Sequence, residues 1–251
     1  MNCEMPESCD LTEDTLLAGK VRLVQRRRGH RAGTDAVLLA AAAAAIDAEV
    51  VVDVGAATGA VGLMIGVHRR DVHVVMIEKD PALAELCSRN IELNGMSARG
   101  RMIIADVLDG DARAAGIERA SIDLVVSNPP FIEEGSARLS PDEGRRNAHA
   151  LPPGGLEAWI GFCVSLLKPN GTLVLIHRAD RLPDCLRMMP ADMGAFRIRT
   201  IHPREGENAT RVLIAATRGR KTPTIMEAPL FLHDREGNFT AQAAALHQGE
   251  W

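Results

Sequence analysis

At 251 residues, with 46% hydrophobic and 25% charged residues, the chain has enough apolar material for one large domain and the composition of an ordinary globular protein. Its formal net charge of −4 lacks the overall basic excess of many nucleic-acid binders, and its apolar run "AVLLAAAAAAI" falls short of the roughly 20 residues that span a bilayer. Five cysteines without a C-x-x-C pair suggest neither a disulfide framework nor a zinc site.

The first stretch, "MNCEMPESCDLTED", is acidic and polar without the pattern of an export signal, and a reducing cytoplasm is the expected setting. We expect a flexible tail over residues 1–19, a single domain over 20–221 and a C-terminal extension over 222–251. "KVRLVQ" (20–25) alternates as a short strand, and "TDAVLLAAAAAAI" reads as a helix capped by Thr34 or Asp35. "EVVVDVG" (49–55) is a continuous β-branched run, as expected of a strand buried on both faces. A helix from Thr58 follows, then strand "VHVVMIEKD" (72–80) and helix "PALAELCSRNIELNG", with Pro81 in its first turn and Gly95 past its end. "RMIIAD" (101–106) and "SIDLVVSN" (121–128) are two more strands. "GLEAWIGFCVSLLKPNG" (155–171) reads as a helix stopped by Pro and Gly, feeding strand "TLVLIHR". A helix around "RLPDCLRMM" and strands near "FRIRTIHP" and "TRVLIAATR" complete the order. Alternation of buried strands with helices predicts an α/β fold with an open, mostly parallel, doubly wound sheet.

Ligands of such sheets bind at the carboxyl ends of the strands. Four clusters fall there: "DVGAATG", "IEKD", "ADVLD" and "SNPPF". Gly55 and Gly59 allow a ligand close to the backbone, and the turn lacks the Lys-Ser/Thr of a P-loop. Glu78, at the end of the second strand, suits ribose hydroxyls. A nicotinamide dinucleotide would share that feature, but the turn is G-A-A-T-G rather than G-x-G-x-x-G and an acid, Asp53, precedes it. An acid there favours a ligand carrying an amine over a pyrophosphate. Asp106 is placed to accept from an adenine amino group, with Val107 against the ring. Each acid alone is equally at home as a cap or loop residue.

"SNPPF" is a stiff corner, because two prolines fix φ and remove two donors. An exocyclic amine is a poor nucleophile while its lone pair is delocalised. The Asn128 side-chain oxygen and the Pro129 carbonyl can each accept one amine hydrogen and aim the lone pair at an electrophilic methyl group. Phe131 would stack on a flipped-out base. Such chemistry needs positioning more than a strong base.

D-x-G-x-x-T-G, an acid ending strand two, A-D after strand three and N-P-P-F after strand four resemble the class I S-adenosylmethionine-dependent methyltransferases of the amino-methylating group. "RLVQRRRGHRAGTDAVLLAA" (22–41), "RRNAHA" (145–150), "LIHRADRL" (175–182), "HPREGENATRVLIAATRG" (202–219) and "PLFLHDREGNFT" (229–240) are similar to the bacterial tRNA(Val) adenine-37 N6-methyltransferase family. The resemblance covers about residues 20–218 and implies a Rossmann-like, seven-stranded sheet preceded by a substrate and cofactor segment over 20–48. It implies S-adenosylmethionine contacts from Asp53, Gly55, Gly59, Glu78, Asp106, Val107 and Asn128, with Arg31, Thr34 and Asp35 lining the site. Catalytic positions would be Asn128, Pro129, Pro130 and Phe131. Arg26, Arg27 and Arg28, Arg145 and Arg146, and Arg218, Arg220 and Lys221 would meet tRNA phosphates. Tyr is common in this family where Phe131 stands, and stacking survives that difference.

Guanine-N2 methylation of rRNA and N5 methylation of a glutamine side chain use the same corner. Those enzymes are expected to carry an additional N-terminal domain, for which residues 1–48 leave little room. A module that escorts RNA without chemistry would not need Asn128 and Phe131. His30, His149, His177, His202 and His233 lack metal-binding spacing and read as capping or surface residues, while Cys87, Cys163 and Cys185 read as small core residues.

Overall fold

The computed structural model describes residues 10–29, 31–109, 116–133 and 150–251. An antiparallel hairpin of β1 (Leu11–Leu16) and β2 (Val21–Arg26) comes first. Alternation then runs through α1 (Thr34–Ala44), β3 (Val50–Val54), α2 (Ala60–His68), β4 (His73–Glu78), α3 (Pro81–Leu93), β5 (Gly100–Ile104) and β6 (Ile122–Ser127). Two short strands, β7 (Ile132–Glu133) and β8 (Ala150–Leu151), pair with each other. After them come α4 (Gly155–Leu166), β9 (Leu167–Arg178), α5 (Leu182–Met188), β10 (Met193–Arg204) and β11 (Arg211–Arg218). The chain ends with β12 (Ile225–Met226), β13 (Leu230–His233) and α6 (Ala241–Gln248).

The central sheet has the order β12-β10-β11-β9-β6-β3-β4-β5, with β13 also beside β10. Only β11 runs against its neighbours. The seven expected strands are therefore present, and β12 and β13 widen the sheet to nine. Because strand side chains alternate, β3 sends Val51 into one core layer and Val52 and Val54 into the other. β4 does the same with Val74 and Met76 against Val75 and Ile77. The first layer lies under α1, α2 and α3, and the second under α4 with Trp159, Ile160 and Leu166. Each such buried aliphatic side chain contributes about 1.5–3 kcal/mol of transfer free energy. Cys87, Cys163 and Cys185 are buried free thiols within these layers.

Helix α3 shows how local chemistry sets an element. Asp80 caps it by accepting from the N–H groups of Ala82 and Leu83, Pro81 opens it, and Gly95 at φ 64° ends it. Ala84, Cys87 and Ile91, spaced three and four apart, bury one face. The start of α1 differs from expectation: the residue before it is Gly33, and no side chain caps it.

Both ends of the described chain belong to the fold. Within the expected tail over 1–19, Leu11–Leu16 form a strand paired with β2, and β2 is in turn anchored by Asn90 and Asn94 of the α3 region. Buried Asn90 accepts from Val24 N–H and donates to the Val24 and Thr58 carbonyls, and Asn94 pairs with the Arg22 backbone. The 222–251 segment adds β12 and β13 to the sheet edge and lays α6 against α1. Trp251 stacks on His68 at 4.7 Å and Lys20 holds the Gln248 carbonyl at 2.9 Å. Helix α4 ends at Leu166, before the Pro-Asn-Gly expected to stop it. Leu167 already pairs with Ile122, and residues 168–171 form the irregularity before Thr172 pairs with Leu124.

Candidate active site

Strand order reverses between β3 and β6, and the carboxyl ends of β3, β4, β5 and β6 open on one crevice. Its volume is about 1540 Å³. That exceeds the roughly 300–1,000 Å³ of a single small-molecule pocket, so there is room for a cofactor and a second group beside it.

The turn after β3 forms its floor. Gly55 and Ala56 donate to the Ile77 carbonyl at 2.9 Å each, tying the turn to β4. Gly55 has φ 75°, and a Cβ there would stand 2.7 Å from Trp159. Trp159 closes this side by donating to Ser127 Oγ at 2.9 Å, while Ser127 donates to the Val54 carbonyl. Ala57, at φ 49°, gives its N–H to Glu78 Oε2 at 2.9 Å. The other Glu78 oxygen accepts from Lys79 and Asp80 N–H. Asp106 accepts from Leu108 N–H at 3.0 Å and faces Lys79 Nζ at 3.9 Å. The acids are thus held by backbone donors, and the wall is set before any ligand arrives.

Asp53 and Gly59 do not reach the wall. Asp53 is 2% exposed, and its carboxylate accepts from Gly62 N–H in the first turn of α2. Burial, with Glu78 adding to it, raises its pKa to about 7. Gly59 sits at φ 89° where a Cβ would stand 2.7 Å from Cys87 Sγ. Both position the turn from behind.

At the end of β6, Asn128, Pro129, Pro130 and Phe131 all line the crevice. The buried Asn128 Oδ1 has no hydrogen-bond partner among the described residues. Leaving a buried acceptor unmet costs about 1–3 kcal/mol, so this oxygen points to a donor that arrives with a ligand. Phe131 meets the His177 ring edge-on at 5.1 Å. His177, expected at the surface, is 1% exposed, and neither of its ring nitrogens has a partner among the described residues. Burial, with help from Arg181 and Arg178, lowers its pKa to about 4 and keeps it neutral.

The N-terminal segment contributes Arg26, Arg28, Arg31, Thr34 and Asp35 to the mouth. Arg31 is committed to the first hairpin, donating to Asp14 at 2.8 Å, Thr12 at 2.9 Å and the Arg26 carbonyl at 2.7 Å. Arg27 is exposed outside the wall. The two basic clusters within the described residues do not meet at one mouth. Arg218 and Arg220 stand at the opposite edge because β11 runs antiparallel, and Lys221 follows them in sequence. Arg145 and Arg146 lie outside the described residues. The crevice also gathers Trp159, Arg178, Asp180 and Arg211, to which sequence reading gave no role. For Arg211 the deciding feature is the antiparallel pairing of β11 with β9, which composition does not show.

Residues 31–155 match the family model described as Methyltransferase small domain. A predicted O-methyltransferase from Agrobacterium tumefaciens superposes with TM-score 0.71 at 29% identity, covering 86% of this chain and 96% of that one. The fold and its crevice are those of a Rossmann-like methyltransferase, a class whose cofactor is S-adenosylmethionine. The tRNA1(Val) (adenine(37)-N6)-methyltransferase of Porphyromonas gingivalis is 37% identical over 64% of this chain, and the match spans 63% of that relative's length. The protein of the same name from Shewanella sp. strain W3-18-1 is 30% identical over 88% of this chain and 91% of its own. The chain belongs to the tRNA1(Val) (adenine(37)-N6)-methyltransferase family.

Proposed function

We propose that this chain transfers a methyl group from S-adenosylmethionine to the exocyclic N6 amine of an adenine in RNA, with tRNA as the substrate and the cytoplasm as its setting. The observation that carries the reading is the buried, unpartnered Asn128 Oδ1 at a proline-stiffened corner of the crevice.

S-adenosylmethionine, when bound, supplies an electrophilic methyl group. The residues present fit it. Gly55 and Ala57 put small residues in the crevice wall where the backbone can be approached, Glu78 offers its carboxylate to ribose hydroxyls, and Asp106 with Val107 borders the adenine. Asp53 acts through the turn, holding Gly62 N–H from behind the place for an amine. Among the described residues no group of His, Cys, Asp or Glu has the arrangement to hold a metal, and no helix is long and apolar enough to cross a membrane.

Asn128 Oδ1 and the Pro129 carbonyl accept the two amine hydrogens. That draws the nitrogen toward a tetrahedral shape and orients its lone pair. Phe131 supplies the stacking face, and the Pro129–Pro130 pair keeps the corner from yielding. Arg26 and Arg28 are exposed at the mouth without side-chain partners among the described residues, which leaves them for phosphates. The names of the relatives support tRNA as the substrate.

The test is methyl transfer from labelled S-adenosylmethionine to total tRNA of cells lacking this protein, followed by nucleoside analysis. N6-methyladenosine is the expected product. Label in N2-methylguanosine, or in co-incubated protein instead of RNA, would replace this reading with one of its rivals.

A further inference from the structure

Arg211 opens β11, and the antiparallel course of that strand brings it to the crevice edge, opposite Arg178 of β9. Its Nε donates to Asp35 Oδ2 at 2.9 Å, and its Nη1 donates to the Thr210 carbonyl at 3.1 Å. Its Cζ lies 5.0 Å from the centroid of the Phe131 ring. His177, the β9 neighbour of Val212, meets the same ring edge-on. Phe131 is therefore gripped by two side chains from adjacent strands, and one of these is tied to α1.

A half-exposed ion pair between β11 and α1 would by itself contribute about 0–1 kcal/mol and need no further role. The third contact separates this pair from that case. A guanidinium is planar and can donate in its plane while presenting its face to an aromatic ring. Asp35 holds the guanidinium through Nε, and its Cζ lies over the Phe131 ring. An ammonium group at this position can satisfy the carboxylate or approach the ring, but it has no plane to orient.

We propose that Arg211 is a positioning residue for the target base: locked by Asp35, it sets the plane of Phe131 and with it the surface on which the adenine stacks. This rests on the methyl-transfer reading above. Arg211 acts through Phe131, so its contribution exists only while the ring is present. It belongs to the turnover of bound RNA and not to the binding of the cofactor.

The experiment is a double-mutant cycle of Arg211→Lys with Phe131→Leu, with Asp35→Asn as a second route to the same guanidinium. Single-turnover transfer to tRNA and KM for tRNA are measured beside calorimetric titration with S-adenosylhomocysteine and a thermal melt. Arg211→Lys is expected to lower turnover roughly tenfold. It should leave S-adenosylhomocysteine affinity unchanged and cause no further loss in the Phe131→Leu background. Asp35→Asn should act in the same direction with a smaller effect. Full turnover in Arg211→Lys, losses that multiply with Phe131→Leu, or an equal loss of S-adenosylhomocysteine affinity would each overturn the proposal. Failure of the wild-type protein to methylate tRNA would remove the methyl-transfer reading and this inference with it, whereas an active wild type with an indifferent Arg211→Lys removes the inference alone.

Discussion

The two edges of the central sheet both carry arginines but hold them differently. At the opposite edge, a polar hollow of about 600 Å³ is bordered by Asp47, Glu49, Asp123, Lys168 and Arg220. There Arg218 is spent on Asp192 and the Leu167 carbonyl, Arg220 on Asn170, and Lys168 on Asp123. At the carboxyl edge, Arg26 and Arg28 have no side-chain partner among the described residues, and the crevice beneath them holds an unmet buried acceptor. At the opposite edge these three basic side chains are met from within the fold. At the carboxyl edge Arg26, Arg28 and the Asn128 oxygen are not, which is the pattern a functional surface would show.

The sharpest way to test that contrast is to remove the unmet acceptor. Asn128→Ala should lower methyl transfer by about 10²–10³, the scale seen when one oriented polar group is deleted from an active site, while leaving cofactor affinity nearly intact. Single-turnover transfer and S-adenosylhomocysteine titration measure the two separately. Parallel loss of both would make Asn128 a structural residue.

Glu78→Gln should have the next largest effect, on binding. Its carboxylate accepts from Ala57, Lys79 and Asp80 N–H groups, so the amide both weakens ribose recognition and turns a donor toward backbone donors. S-adenosylhomocysteine affinity should fall by roughly tenfold or more. Unchanged calorimetric affinity would displace Glu78 from the cofactor's site.

Asp53 gives a pH signature. Its folded pKa of about 7 lies above its ordinary value, so the stability it contributes is full below about pH 4 and is lost as pH rises through 7. The slope is at most about 1.4 kcal/mol per pH unit. Asp53→Asn keeps an oxygen for Gly62 and removes the ionisation, so urea unfolding should show the variant more stable than wild type at pH 8. His177, whose pKa is lowered to about 4, acts in the opposite sense: its contribution is lost as pH falls below its ordinary 6.5. The His177 contribution is common to wild type and Asp53→Asn, so the difference between their slopes from pH 6.5 to pH 8 isolates Asp53. Equal slopes for wild type and variant there would mean that Asp53 does not titrate in this range.

The smallest effect belongs to the arginines themselves. Arg28→Ala should weaken tRNA binding modestly and reduce the slope of log affinity against log salt by about 1, whereas Arg220→Ala should change neither. Filter binding at several salt concentrations would show it. A larger loss from Arg220→Ala would reverse the assignment of the two edges.

Much of this was legible in the sequence for a physical reason. Strands buried on both faces, such as β3 and β4, consist of β-branched and aliphatic runs, and the clusters at their carboxyl ends follow from them. "LTEDTL" hid β1, because a half-buried hairpin strand with acids in its middle looks like a tail. Its support is tertiary: it pairs with β2, which Asn90 and Asn94 hold. The placement of Arg211 and Arg218 was hidden for a related reason. Composition marks both as basic, but only the antiparallel pairing of β11 sends one to the crevice and the other away. His177 was hidden because its partner Phe131 follows the neighbouring strand β6 and is distant in sequence.

The central claim is that the Asn128 corner and the Gly55 turn face one another across a shared cofactor and base site. A crystal structure with S-adenosylhomocysteine and adenosine tests it most directly. The account predicts S-adenosylhomocysteine against Gly55, Glu78 and Asp106, with the adenosine N6 within hydrogen-bonding distance of Asn128 Oδ1 and its ring on Phe131. An adenosine bound elsewhere, or an Asn128 oxygen that stays unpartnered with both ligands in place, would contradict it.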